Sequence, residues 1–190
     1  MRLILASASP RRLELLARIG VTPDAVVPAD IDEAVPKGEL PRAHALRLAR
    51  EKAQAVATHY PDALVLGADT VVAVGRRILP KVEDEATLRA CMKLLSGRRH
   101  RVLTGVALAV PRNGLRERLV ETMIAMKRLS EEEIGHYASL GEWRGKAGGY
   151  ALQGYGEVYV RHIAGSYSNV VGLPLAETRM LLKGAGYPIA

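Results

Sequence analysis

The sequence has no phenylalanine, one cysteine and one tryptophan in 190 residues. A single cysteine excludes an internal disulfide and a cysteine-rich zinc site, and it fits a reducing compartment. With seven tyrosines and that tryptophan as its only aromatics, the chain is short of the stacking platforms that single-strand nucleic-acid binders use. No apolar run approaches the ~20 residues of a membrane helix, and Leu3-Ile4-Leu5 is too short for a secretory signal core. The expectation is a soluble, cytoplasmic protein that does not engage a membrane.

Hydrophobic residues make up 48% and charged residues 25%, ordinary values for a chain that buries a core. The 27 Lys+Arg against 20 Asp+Glu leave a net charge of +7. That balance asks for an anionic partner: nucleic acid, an acidic surface or a phosphorylated small molecule. The densest basic run, Arg98-Arg99-His100-Arg101, reads as a solvated connector between a helix and a strand.

Hydrophobic periodicity sets out an α/β protein with a mixed sheet. Leu3-Ile4-Leu5 is a buried strand. Ser9 caps a helix with Pro10 at its first position, Leu13, Leu16 and Ala17 on its inner face, and Gly20 as its stop. Val26-Val27 is a second strand. Pro41 opens a longer helix with Leu46, Ala49, Ala53, Val56 and Ala57 inward and its charges opposite. The run from Ala63 ends in Asp69-Thr70, continues through Val71-Val72-Ala73-Val74 and turns back at Gly75-Arg76. A helix over 84–95 follows. A strand over 101–110, apolar on both faces and therefore central, turns at Asn113-Gly114 into a strand over 115–128. Ser130 and Glu133 form a capping box for a helix ending near Gly141. Residues 145–156 read as a glycine-rich loop, 158–163 as a strand and 174–183 as a last helix.

No phosphate-binding P-loop, zinc-protease motif or nucleophile elbow is present. Ser7-Ala8-Ser9-Pro10-Arg11-Arg12, between a strand and a helix, places two hydroxyls and two guanidiniums beside free helix N–H groups, which suits phosphate. A capped helix with surface arginines satisfies the same residues. Asp69, directly after a buried strand, lies where ligands collect beyond strand ends, and an acid there can hold a metal or orient water. Asp32-Glu33 is a loop pair. Lys52 and Lys81 are point charges suited to phosphate oxygens. In Gly145-Lys146-Ala147-Gly148-Gly149-Tyr150-Ala151-Leu152-Gln153-Gly154 the glycines permit close backbone approach, and the Gln153 amide can read a base edge.

Taken in order, these elements, with Glu51-Lys52-Ala53, Gly67-Ala68-Asp69-Thr70-Val71-Val72, Leu95-Ser96-Gly97, His100, Thr104-Gly105 and the stretch from Gly165-Ser166-Tyr167 to Pro174, resemble the Maf family over essentially the whole chain. These are nucleoside triphosphate pyrophosphatases, also described as septum-formation inhibitors. The resemblance implies one Maf-like domain over 1–190, without a separable linker. It implies an elongated α/β fold related to the inosine triphosphate pyrophosphatases, with a cleft between two lobes. It implies hydrolysis of a nucleoside triphosphate to monophosphate and pyrophosphate with a divalent cation, Mg²⁺ or Mn²⁺, and a homodimer. Asp69 matches the family's proton acceptor. Glu33, Lys52 and Lys81 match positions facing phosphates and metal, with Asp69 and Glu33 as metal ligands. Ser7, Ser9, Arg11, Arg12, Thr70 and Gln153 fall on the substrate side, and Arg11, Thr70 and Gln153 match positions tied to base choice. The Ala-Asp-Thr and Leu-Gln-Gly forms resemble the branch acting on dTTP and UTP. Two departures stand out: Pro80-Lys81-Val82 replaces the usual Gly-Lys-Pro, and Trp143 replaces a small residue or proline. The rival reading is a non-enzymatic division regulator or nucleic-acid binder that uses the basic surface.

Overall fold

The computed structural model describes residues 1–189. Leu3–Ala6 forms β1, Pro10–Arg18 forms α1 and Ala25–Val26 forms β2. Helix α2 covers Pro41–Ala57, and the long strand β3 spans Leu64–Val74. The chain returns through β4 (Arg77–Ile78) to β5 (Lys81–Val82) and α3 (Glu85–Leu95). Strands β6 (Arg99–Val110) and β7 (Gly114–Met126) follow, then α4 (Glu131–Leu140) and β8 (Lys146–Ala147). A 3-10 turn at Tyr155–Tyr159 leads into β9 (Val160–Ala164), α5 (Tyr167–Val171) and α6 (Leu175–Gly184). Among the described residues no helix is long and apolar enough to cross a membrane.

The main sheet runs β2-β1-β3-β6-β7-β9, with β4 appended to β3. Strand β1 is parallel to β2 and β3, and the other pairs are antiparallel. This is the mixed α/β sheet expected, with β6 central between β3 and β7. Strands β3 and β6 pass through two cores. Leu66 and Leu108 join Leu5, Leu15 and Leu182 in one, while Val72 and Val102 join Leu88, Met92, Tyr137 and Trp143 in the other. Trp143 fills the second core, with its Nε1–H donating to the Ala138 carbonyl at 2.8 Å. The buried aromatics Tyr137, Tyr159 and Trp143 thus do the packing that phenylalanine does elsewhere.

Several local expectations are corrected. The inner face of α1 is Arg12, Leu15 and Leu16, and Leu13 is exposed. The inner face of α2 is Ala45, Leu48, Ala49, Lys52, Ala53 and Val56, so Leu46 is only partly buried and Lys52 leaves the polar side. Residues 145–156 are not a plain loop. Within them β8 pairs with β5 in a second, two-stranded sheet, and the 3-10 turn takes over the predicted start of β9. The basic run is no connector either. Arg99 already belongs to β6, and alternation along that strand buries His100 while Arg101 donates to the Gly75 carbonyl.

Helix α2 lies unusually close to the sheet. A Cβ on Gly67 of β3 would meet the Ala49 carbonyl oxygen at 2.5 Å, and one on Gly105 of β6 would meet the Ala45 carbonyl oxygen at 2.3 Å. Small residues on both sides allow this approach, and neither contacting atom is a flexible side chain. Gly105→Ala is expected to force α2 outward and to cost about 1–3 kcal/mol of stability, as overpacking does. A urea midpoint equal to that of the wild type would show that the approach is not required.

Candidate active site

Strand pairing leaves one opening in the sheet. β1 covers β3 from Leu64 to Gly67, and β4 covers Ala73 and Val74 on the same edge, opposite to β6. The Leu79 N–H donates to the Val72 carbonyl and extends the β4 side by one step. Residues 68–71 therefore face a gap where β1 has ended and the chain has turned into α1. Asp69 lies in the middle of β3, paired with Gly105, and not after the end of its strand as expected. The strand end that matters is that of β1. Because side chains alternate, Asp69 leaves β3 toward α2 and Thr70 leaves it toward the opposite face, and the gap admits both to one cleft.

That cleft has a volume of about 380 Å³. It is lined by Ser7, Ser9, Arg11 and Arg12 from the β1–α1 turn, by Glu33, and by Lys52 of α2. Asp69, Thr70, Lys81 and Gln153 complete the predicted set, so all of these residues meet in one place. Arg144, Lys146 and Tyr150 also line it, and residue-type reasoning did not single them out as site residues. A lysine inside a dense glycine run was the available signal for Lys146.

The charged centre is a relay of four groups. Lys52 Nζ lies 2.7 Å from Asp69 Oδ1 and 2.6 Å from Glu33 Oε1. Lys81 donates to the other Glu33 oxygen. Lys52 and Asp69 are buried, whereas Lys81 is exposed. Partial burial pushes the Glu33 carboxyl up, but hydrogen bonds and charge from Lys52 and Lys81 outweigh it and bring the group down to about 2. Pro80-Lys81-Val82 still delivers its lysine. Val82 is fully buried and pairs with Lys146, leaving Lys81 directed at Glu33.

The other wall is built around Arg12. Its Nε donates to the Gly172 carbonyl at 2.9 Å, and Nη1 donates to Ser7 Oγ at 3.0 Å. Nη2 lies 3.5 Å from Thr70 Oγ1. Burial draws this guanidinium below its ordinary value, and the charge of Asp69 pushes back. Arg12 thus ties α1, β3 and the end of α5 together. Behind it, Thr70 Oγ1 meets Thr104 Oγ1 at 2.9 Å, Thr104 donates to the Asn169 carbonyl, and the Asn169 amide donates to Thr122 Oγ1 and the Val102 carbonyl. Ser9 stands at the N-cap of α1 without a side-chain capping bond. Its backbone N–H donates to Ser7 Oγ, and Ser9 itself lines the cleft with its hydroxyl uncommitted to the helix.

Asp69 and Glu33 present hard oxygens on one point, the Lys52 ammonium. Mg²⁺ is commonly held by one or two carboxylates together with substrate phosphates, so this pair fits such a cation. Among the described residues no group of three or more His, Cys, Asp or Glu converges, and Glu33 and Asp69 are the two carboxylates that line the cleft.

A family model described as Maf-like protein matches residues 2–185. A dTTP/UTP pyrophosphatase of Caulobacter vibrioides is 61% identical over 185 residues, which cover 97% of this chain and 96% of that protein. A dTTP/UTP pyrophosphatase of Novosphingobium aromaticivorans is 60% identical over 187 residues, covering 98% and 93%. Among solved structures, a nucleoside-triphosphatase / dITP/XTP pyrophosphatase of Mycobacterium abscessus superposes with a TM-score of 0.48 at 16% identity, covering 98% of this chain and 95% of that one.

The Glu33 environment has a pH signature. Its carboxyl falls from an ordinary 4.5 to about 2 on folding. The stabilisation is therefore complete above 4.5 and is lost as pH drops toward 2. Glu33→Gln should be less stable than wild type near pH 6, with the gap closing between pH 4.5 and 2 in urea titrations. A pH-independent gap would count against the paired carboxylate.

Proposed function

The chain belongs to the Maf family, and on that premise we propose that it hydrolyses dTTP and UTP to the nucleoside monophosphate and pyrophosphate. The observation that carries this reading is the convergence of Glu33, Lys52, Asp69 and Lys81 in a cleft also walled by Arg11 and Arg12. A triphosphate is a polyanion, and its hydrolysis needs cations for the developing charge and a base for the water. Both are at hand within hydrogen-bond reach of one another.

In this mechanism Arg11, Lys52 and Lys81 bind the phosphates, and Arg12 holds the wall against which they lie. Asp69 accepts from Lys52 through Oδ1, which orients the carboxylate and leaves Oδ2 to take the proton of a water. The water oxygen forms a bond to the α-phosphorus. The bond from that phosphorus to the bridging oxygen breaks, and pyrophosphate leaves with the electron pair. A divalent cation, Mg²⁺ or Mn²⁺, held by Asp69 and Glu33, would neutralise phosphate charge and polarise the attacked phosphorus. Thr70 and Gln153 face the base. The Gln153 amide makes no hydrogen bond among the described residues, so it is free to pair with a ligand.

The reading is tested by assaying the eight common nucleoside triphosphates with Mg²⁺, with Mn²⁺ and with a chelator, and by identifying the product. dTTP and UTP should be the best substrates and pyrophosphate the product. Release of orthophosphate alone, or a purine preference, would overturn it. Asp69→Asn keeps the shape of the side chain and removes the base, and should lower turnover at least ~10²-fold while the protein still folds. Near-wild-type pyrophosphate release from that variant would remove Asp69 from the role.

A further inference from the structure

Tyr150 stands in the wall of the cleft, which Val72, Val102 and Gln153 also line. Gly148 and Gly149, at φ +68° and +72°, fold the preceding segment onto the core. A Cβ on the first would meet Val72 at 2.9 Å, and one on the second would meet Leu88 and Val82 at 2.9 Å. The backbone leading into Tyr150 is therefore packed directly on the core. Its hydroxyl lies 2.7 Å from Nε2 of His100, and the two rings meet edge to face at 5.4 Å. His100 is 2% exposed, and its Nδ1 is buried with no donor or acceptor among the described residues.

Those facts assign the direction of the bond. Burial draws His100 down to about 4 and pushes the Tyr150 phenol up, so near neutral pH the imidazole is uncharged and the phenol keeps its proton. A neutral imidazole carries one N–H. On Nδ1 that N–H would be buried and unpaired, whereas on Nε2 only a lone pair is left unpaired. Orphaned buried donors are the rarer and costlier of the two. His100 Nε2–H therefore donates to the Tyr150 oxygen, and the Tyr150 proton is left to donate elsewhere.

We infer that the Tyr150 hydroxyl donates to the 4-carbonyl oxygen of the pyrimidine base, with His100 as the positioning residue that fixes the direction of that bond. The reading-edge of uracil and thymine presents acceptor, donor, acceptor. Its complement is donor, acceptor, donor. The Gln153 amide supplies one donor and one acceptor, and Tyr150 supplies the second donor. Cytosine carries an amino donor in place of the 4-carbonyl, so a fixed donor on that side rejects it. This inference rests on the dTTP/UTP reading given above.

The test is the ratio of kcat/KM for UTP to that for CTP, measured by pyrophosphate release from the full chain. A change in the fraction of folded enzyme does not move this ratio. Tyr150→Phe keeps the ring and should lower the ratio about five- to tenfold, the worth of one neutral hydrogen bond. His100→Leu should lower it likewise, and His100→Gln, whose amide still donates, should restore it. A wild type that prefers UTP together with an unchanged ratio in Tyr150→Phe would overturn the inference and leave the dTTP/UTP reading intact. A wild type with no preference for UTP over CTP would overturn both.

Discussion

The site depends on one buried ammonium. Lys52 sits on the inner face of α2, where an unpaired charge would cost several kcal/mol, and Asp69 and Glu33 make it tolerable. Its position follows from α2 lying close on the sheet. Gly67, Gly105 and the alanines of α2 remove the side chains that would keep the helix away. The same register that pairs Asp69 with Gly105 directs Asp69 at the helix. Helix approach, strand register and ion pairing are thus a single constraint. A larger side chain at either glycine would move the lysine away from its two carboxylates.

The opening in the sheet is the second half of that constraint. A strand with partners along both edges offers its ligand only one face. β3 has β1 for its first third and β4 for its end, and in between its edge is bare. Side chains from both faces therefore reach the same space, which brings the Asp69 carboxylate and the Thr70 hydroxyl into one cleft. The two hydrophobic cores take in β3 on either side of this point, Leu64 and Leu66 in one and Val72 in the other.

Much of the scaffold was legible in the sequence, because the long elements carry their own signals. The Ser130–Glu133 capping box, the Asn113-Gly114 turn and the doubly apolar β6 needed no tertiary information. The elements that escaped are those made by contacts. Helix α5 has five residues, and it is held by the Ser166 cap and the Asn169 bonds to β6 and β7. β5 and β8 have two residues each and exist only as a pair. Lys52 was assigned to the polar side of its helix because a periodic pattern cannot foresee a carboxylate across the interface. Residue type and position singled out Ser7, Ser9, Arg11, Arg12, Glu33, Lys52, Asp69, Lys81 and Gln153, and whole-chain resemblance added Thr70 and the roles expected of the set. Their convergence rests on strand register and on where β1 stops, and neither is written in any one motif.

Charge distribution shows how a cationic cleft comes to contain carboxylates at all. Six cations line it against two carboxylates, a net +4 of the chain's +7. Elsewhere many arginines and lysines are spent on glutamates, among them Arg42, Arg47, Arg50, Arg89 and Lys127. The surplus is therefore concentrated in the cleft, and low-dielectric walls strengthen its field there. Bare carboxylates in the same cleft would oppose that field. Lys52 and Lys81 are already paired with Asp69 and Glu33, so the two acids cost the site little of its positive potential. Arg11, Arg12, Arg144 and Lys146 have no carboxylate pair among the described residues. These four are the cations of the cleft that no carboxylate neutralises.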